Sequence, residues 1–334
     1  MTKIAVDAIN LAADRRGMGR MVRQTLRTLD ELGGAEIMLV VRKPDDAAEL
    51  WREFGYRTIV PADLRRERFD AVWYPWNGMR FAPHAYSIVT IHDPFAFMYP
   101  HPNRIARWRE QSPIRRAINK ADVIFAVSKW TAGELFKIFN LDNSRVRVVP
   151  NAVDRFWHPV SVPPQDPYML VLAGPEERKN IAMLFRAYDA TFQDAGPHLV
   201  VAGTLSDSDE RLFQKLRTPR RRVNPSDAQL RELYSGTMAL LVPSTAEGYG
   251  LPAVEAMACG AAVIASNAAA LPETCDGAAF LVRPDENAWR GALRTLSLDD
   301  KLRHELRERG LARVARIDPS GPAKALLDAA RPLG

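Results

Sequence analysis

The sequence predicts an α/β protein in which a doubly wound parallel sheet is built twice. Short apolar runs rich in Val, Ile and Ala alternate with longer stretches of helical period along the whole chain. Such runs read as strands buried on both faces, and the segments between them as crossover helices. The alternation halts between Asp154 and Tyr168, where Pro159, Pro163, Pro164 and Pro167 interrupt any regular pattern, as in a linker. At 334 residues and 47% hydrophobic, the chain can fill two cores rather than one.

In the first half the runs are Ile4–Val6, Ile37–Val41, Ala71–Tyr74, Ser87–Ile91, Val123–Val127 and Val146–Val149. In the second they are Met169–Ala173, Leu199–Ala202, Ala239–Val242, Ala262–Ala265 and Phe280–Val282. Between the first two, Met18, Val22, Leu26, Leu29 and Leu32 step by three or four and make one apolar helix face. The expected domains are residues 1–158 and 165–315, followed by a helical tail over 316–334 marked by Ala323, Leu326, Leu327 and Ala330. Two such domains with a hinge leave a cleft at the carboxyl ends of both sheets, where ligands bind in doubly wound folds.

No run is long enough to cross a membrane as a helix. Ile4-Ala5-Val6 after Met1-Thr2-Lys3 is too short for a secretory leader, so a cytoplasmic location is expected. Cys259 and Cys275, the only cysteines, give neither a disulfide framework nor a metal knuckle, and read as small core residues. A net charge of +6 suits an anionic ligand, an anionic membrane surface or nucleic acid alike. No aromatic platform or reading motif accompanies it, so no nucleic-acid partner is expected.

The most informative segment runs from Glu247 to Gly260, EGYGLPAVEAMACG, after the run Ala239–Val242. Gly248 and Gly250 let the backbone approach a ligand, Pro252 suits a first helical turn, and Gly260 would end that helix. Free amides at the helix start favour an anion, and Glu247 and Glu255 are acceptors suited to sugar and ribose hydroxyls. Spacing alone serves equally a capped helix with two solvated glutamates. Gly174-Pro175-Glu176-Glu177-Arg178-Lys179-Asn180 follows Met169–Ala173 and gathers two cations with a candidate N-cap, Asn180. In isolation, such an Arg-Lys pair is more often solvated. Gly17-Met18-Gly19-Arg20 is a weak phosphate-loop signal, because Val22 breaks the dinucleotide pattern. His92-Asp93 stands at the carboxyl end of Ser87–Ile91, and Ser128 reads as an N-cap. Asp207-Ser208-Asp209 reads as a solvated loop, so no metal is expected. Arg104, Arg107, Arg109, Arg115, Arg116 and Lys120 surround Trp108, a pattern that fits either a solvated face or an anionic membrane surface.

As a set these residues resemble the GT4 family of retaining glycosyltransferases, which have the GT-B fold. The E-x7-E pair Glu247 and Glu255 carries the resemblance, with Leu230-Arg231-Glu232-Leu233-Tyr234-Ser235 before it and Leu271-Pro272-Glu273 with Gly277 after it. It is most specific over residues 168–290 and looser over 1–155. The resemblance implies two Rossmann-like domains facing a cleft, with the C-terminal helix crossing back onto the first. It implies a nucleotide-diphosphate sugar as donor, with GDP-mannose or UDP-glucose as the leading candidates and no further cofactor. Glu247 would contact the donor sugar, Glu255 the ribose, and Arg178 and Lys179 the diphosphate. His92 would hydrogen-bond a sugar hydroxyl. The amides of Tyr249, Gly250 and Leu251, with Gly248 and Gly174, would meet the sugar and phosphates. Val223 would meet the base, and Gly17 and Gly19 would form an acceptor-side loop. The acceptor is left as a glycan, a lipid-linked sugar or a small molecule. Lipid-linked acceptors make a peripheral position on the inner face of the cell membrane a further expectation. Ala152 in Asn151-Ala152-Val153-Asp154 departs from the family's usual glycine. The rival readings are an inactive sugar-nucleotide-binding module, a basic scaffold and a GT-B sugar-nucleotide epimerase.

Overall fold

The computed structural model describes residues 1–14, 17–82, 85–163 and 165–331, so Pro164 of the proline-rich segment lies outside it. The chain divides into two compact units, Met1–Ala152 with Asp318–Gly334, and Val153–Ile317.

In the first unit the order is β1 (Thr2–Asp7), α1 (Gly17–Leu32), β2 (Ala35–Val40), α2 (Pro44–Phe54), β3 (Arg57–Ile59), β4 (Ala71–Tyr74) and β5 (Tyr86–Ile91). It continues through α3 (Phe95–Met98), α4 (Arg104–Lys120), β6 (Val123–Ala126), α5 (Lys129–Ile138) and β7 (Val146–Val148). These strands form one sheet in the order β3-β2-β1-β4-β5-β6-β7, and every pairing is parallel. In the second unit come β8 (Tyr168–Ala173), α6 (Ile181–Phe192), β9 (His198–Gly203), α7 (Asp207–Lys215), β10 (Arg220–Val223), α8 (Asp227–Gly236) and β11 (Ala239–Val242). Then follow α9 (Leu251–Ala258), β12 (Val263–Ser266), α10 (Leu271–Cys275), β13 (Phe280–Val282), α11 (Glu286–Leu298) and α12 (Asp300–Ala315). Its sheet runs β10-β9-β8-β11-β12-β13, again all parallel.

Both orders are the doubly wound arrangement, in which the strand order reverses beside the first strand of the sheet. The reversal lies between β1 and β4 in the first unit and between β8 and β11 in the second. A crevice opens at such a point because the flanking crossovers leave in opposite directions.

Each apolar run of the sequence is a strand, with ends within one or two residues. The two strands that it does not reveal, β3 and β10, are the outermost of their sheets. Arg220, Arg221 and Arg222 fill β10, because an edge strand faces less core and tolerates charge. The face of α1 is buried at Val22, Leu26 and Leu29, while Leu32 at its end is 44% exposed. Asp207-Ser208-Asp209 does not lie in a loop. It is the first turn of α7, where Ser206 accepts the amide of Asp209 and the acidic residues complement the helix dipole.

The last helix, α13 (Gly321–Ala330), belongs to the first unit. Ala323, Leu326, Ala329 and Ala330 join Ile4, Val6, Val22 and Leu26 in one core. A ten-residue helix is marginal by itself, so this burial is what holds it. Leu326, fully buried, should therefore cost about 2–5 kcal/mol when replaced by Ala. Urea unfolding checks this; a cost below about 1 kcal/mol would show that α13 adds little to the unit.

Candidate active site

In the second unit, the turn after β8 and the loop after β11 meet across the reversal point. Lys179 Nζ lies 2.7 Å from Glu247 Oε1, and Arg178 lies 3.5 Å from Glu247 Oε2. Ser244 Oγ donates to the same Glu247 Oε1 at 2.8 Å. The backbone supports the contact, since the amide of Thr245 donates to the Arg178 carbonyl at 2.8 Å. Asn180 sits at the start of α6 but does not cap it with its side chain. Its backbone is left-handed, with φ 55°, and its side-chain amide donates to the Pro243 carbonyl at 3.3 Å. The residue expected as a cap instead ties the two loops together.

Burial pushes the Glu247 carboxyl up, but Lys179, Arg178 and the donated hydrogen bonds outweigh it and hold it below its usual range. Glu247 is therefore ionised at neutral pH, and two cations are fixed on one side of it. Glu176, half exposed, lies 3.8 Å from Arg178. A Cβ at Gly174 would meet the end of the Glu176 side chain, which is free to swing aside.

The loop 247–250 delivers the chain into α9. Gly250 has φ 95°, a conformation that favours glycine, and a Cβ there would press on Leu271 at 2.8 Å. Pro252 occupies the first turn and Gly260 follows the end with φ 75°, as the sequence predicts. In the first turn of α9, Pro252 has no N–H and the Ala253 amide donates to the Gly250 carbonyl at 2.9 Å, so few amides there face the loop. Glu255, the fifth residue of α9, is 3% exposed. The Tyr249 side chain packs inward, and its carbonyl accepts the Thr274 hydroxyl. Val223, at the end of β10, lines a separate cavity of about 470 Å³ with Asn224, Gln229 and Glu232. A larger hollow of about 1060 Å³, containing His198, Met238 and Arg290, lies at the opposite, amino-terminal edge of this sheet.

In the first unit, His92 follows β5 and is buried. Its Nε2 stands 2.9 Å from the Pro75 carbonyl, which can only accept, so Nε2 carries the proton. Burial pushes the ring down to about 4, against the opposing effect of that hydrogen bond. Ser128 caps α5 as expected, accepting the Thr131 amide at 2.9 Å. Gly17 and Gly19 do not form a loop: they occupy the first turn of α1, and a Cβ on Gly19 would collide with the Asp14 carbonyl. Asp7, fully buried at the end of β1, has an Oδ2 with no partner among the described residues, and burial pushes its pKa up to about 6.

Two family models divide the chain between them: "Glycosyltransferase Family 4" matches residues 15–155 and "Glycosyl transferases group 1" matches 154–313. The chain belongs to the GT4-type glycosyltransferases. O-antigen chain mannosyltransferase B of Escherichia coli is 29% identical over 285 residues, covering 78% of this chain and 74% of that protein. O-antigen chain mannosyltransferase RfbU of Salmonella typhimurium is 25% identical over 217 residues, covering 62% and 60%. The chain spans only 27% of the longer serotype-specific mannosyltransferase WbdA of E. coli, to which it is 28% identical. Among solved structures, Anabaena HepE in complex with UDP-glucose superposes with a TM-score of 0.76 at 14% identity, covering 98% of this chain and 99% of that one. WaaG, a glycosyltransferase of lipopolysaccharide biosynthesis, gives 0.73 at 14%, covering 99% and 100%. The fold of this glycosyltransferase is thus GT-B.

Sequence reasoning missed Ser244, Asn77 and Asp7. Ser244 stands three residues before Glu247, within the same loop. Asn77-Gly78 is a turn dipeptide that follows the run Ala71–Tyr74 after two residues, a signal that marks the residue's backbone but not its partner.

The two buried groups of the first unit give opposite pH signatures. For His92, the unfolded chain takes up a proton below about 6.5 and the folded chain only near 4, so its contribution to stability falls as pH is lowered. For Asp7, the folded chain holds its proton up to about 6, so its contribution falls as pH rises from about 3.8. Asp7→Asn should therefore gain in stability relative to the unmodified protein between about pH 4.5 and 7.5 in urea unfolding. A constant difference across that range would contradict the raised pKa.

Proposed function

We propose that this protein is a retaining, metal-independent hexosyltransferase that takes its sugar from a nucleotide diphosphate. The observation that carries this reading is the Arg178–Lys179–Glu247 cluster across the β8/β11 reversal point. A diphosphate arriving there meets two cations beside the start of α9, which stabilise the charge that builds as the sugar–phosphate bond breaks. Lys179 has protons beyond the one given to Glu247, so one ammonium can hold the carboxylate and a phosphate oxygen together. Glu247, kept ionised, accepts from hydroxyls of the transferred sugar, and Glu255 from those of the ribose. His92 is neutral at physiological pH, and its Nδ1 lone pair accepts from a substrate hydroxyl. It is not the general acid.

Relatives named as mannosyltransferases support mannose as the sugar, with GDP-mannose ahead of UDP-glucose as the donor. Their O-antigen role supports a glycan or lipid-linked acceptor. Thermal shifts with GDP, UDP, dTDP and ADP, with and without EDTA, test the donor site. One diphosphate should raise the melting point regardless of EDTA, and Lys179→Ala and Glu255→Ala should each abolish the rise. No shift with any of the four would remove the donor site.

We assign the acceptor side to a membrane surface on a separate observation. On α4, Ile105 and Trp108 are 64% and 67% exposed, one turn apart, among Arg104, Arg107 and Arg109. Among the described residues no helix is long and apolar enough to cross a membrane. Apolar side chains ringed by arginine suit the interface of an anionic bilayer, such as the inner face of the cell membrane. The protein should co-sediment with phosphatidylglycerol vesicles but not phosphatidylcholine ones, and Trp108→Ala should weaken this. Equal partition to both lipids, or none, would refute the assignment.

A further inference from the structure

We propose that Asn77 is a positioning residue that holds the His92 backbone so that its ring, bonded to the Pro75 carbonyl of the same turn, meets substrate in one orientation, an inference that rests on the role of His92 given above. The turn Pro75-Trp76-Asn77 leaves β4 beside the β1/β4 reversal point. Trp76 pins it to the neighbouring strand, its indole donating to the Asp7 carbonyl at 2.6 Å. The Asn77 amide donates to the Thr90 carbonyl at 3.2 Å, lacing the turn to the last residues of β5.

From there the turn holds His92 at two points. The Asn77 side-chain oxygen accepts the backbone amide of His92, and more weakly that of Asp93 at 3.4 Å. The Pro75 carbonyl accepts Nε2–H at 2.9 Å. On the other side, the Thr131 hydroxyl donates to the His92 carbonyl at 3.2 Å. Three of the four polar groups of His92 are thus occupied, and Nδ1 alone has no partner among the described residues. A ring held in this way presents an unprotonated nitrogen in one direction, which is what a hydroxyl donor requires.

Asn suits the position twice over. Its φ of 58° is left-handed, which Asn tolerates better than most residues, and its side-chain oxygen is the acceptor. Gly78 then lets the turn close against α4, since a Cβ there would stand 2.6 Å from the Pro113 backbone. Two substitutions separate these demands. Asn77→Gly keeps the backbone conformation and removes the acceptor; Asn77→Asp keeps both.

The experiment measures kcat and KM for the sugar donor in both variants, with the ¹⁵N tautomer signature of His92. Asn77→Gly should lower kcat about tenfold or more with donor KM within about twofold, and should mix the His92 tautomers. Asn77→Asp should restore both readouts. The idea is overturned if Asn77→Gly keeps the Nε2–H tautomer and its kcat, or if Asn77→Asp falls equally far. It is also overturned if the loss tracks a drop in melting temperature. A protein that transfers no sugar from any donor would refute the proposed function instead, while the tautomer signature would still report on the positioning.

Discussion

The second unit is organised around a carboxylate that should not be charged where it is. Glu247 is buried, and burial alone would favour its neutral form. Lys179, Arg178 and Ser244 reverse that, and in doing so they fasten the loop after β11 to the turn after β8. Removing one partner from such a cluster leaves an uncompensated buried charge, so the sequence is constrained at several positions at once. Asn180 ties the two loops together through the Pro243 carbonyl, and Gly250 supplies the left-handed turn that delivers the second loop into α9.

The fold supplies the place and the loops supply the chemistry. Both sheets reverse their order beside their first strand, and both units put their polar residues there. In the second unit these are two cations and two glutamates, a set suited to a phosphorylated sugar. In the first they are a neutral histidine, an asparagine and a buried aspartate, a set suited to hydroxyls. The two reversal points thus differ in chemistry, charged in the second unit and built for hydrogen bonding in the first.

Most of the fold was legible because a parallel strand buried on both faces leaves an apolar run that little else imitates. The edge strands β3 and β10 escaped for the same reason, since a strand that faces less core need not be apolar. The donor cluster was legible as a set of residues, but its internal geometry was not. No spacing announces that Lys179 reaches Glu247, 68 positions away. The G-x-G spacing of Gly17 and Gly19 reads as a phosphate loop, yet close packing on Asp14 explains Gly19 equally well. Asn180 stands at the N-cap position that the sequence predicts, but its side chain, like that of Asn77, works across a turn. Local patterns do not encode that.

In the proposed reaction Glu247 binds sugar while sharing Lys179 with the diphosphate. Calorimetric titration of GDP, beside turnover of GDP-mannose, on Glu247→Gln tests it most directly. The neutral amide removes the competing charge from Lys179, so GDP should bind as tightly as before or more tightly, while sugar transfer falls by about two orders of magnitude. Loss of GDP binding together with turnover would contradict the account, because Glu247 would then be no more than the strut that holds the two loops in place.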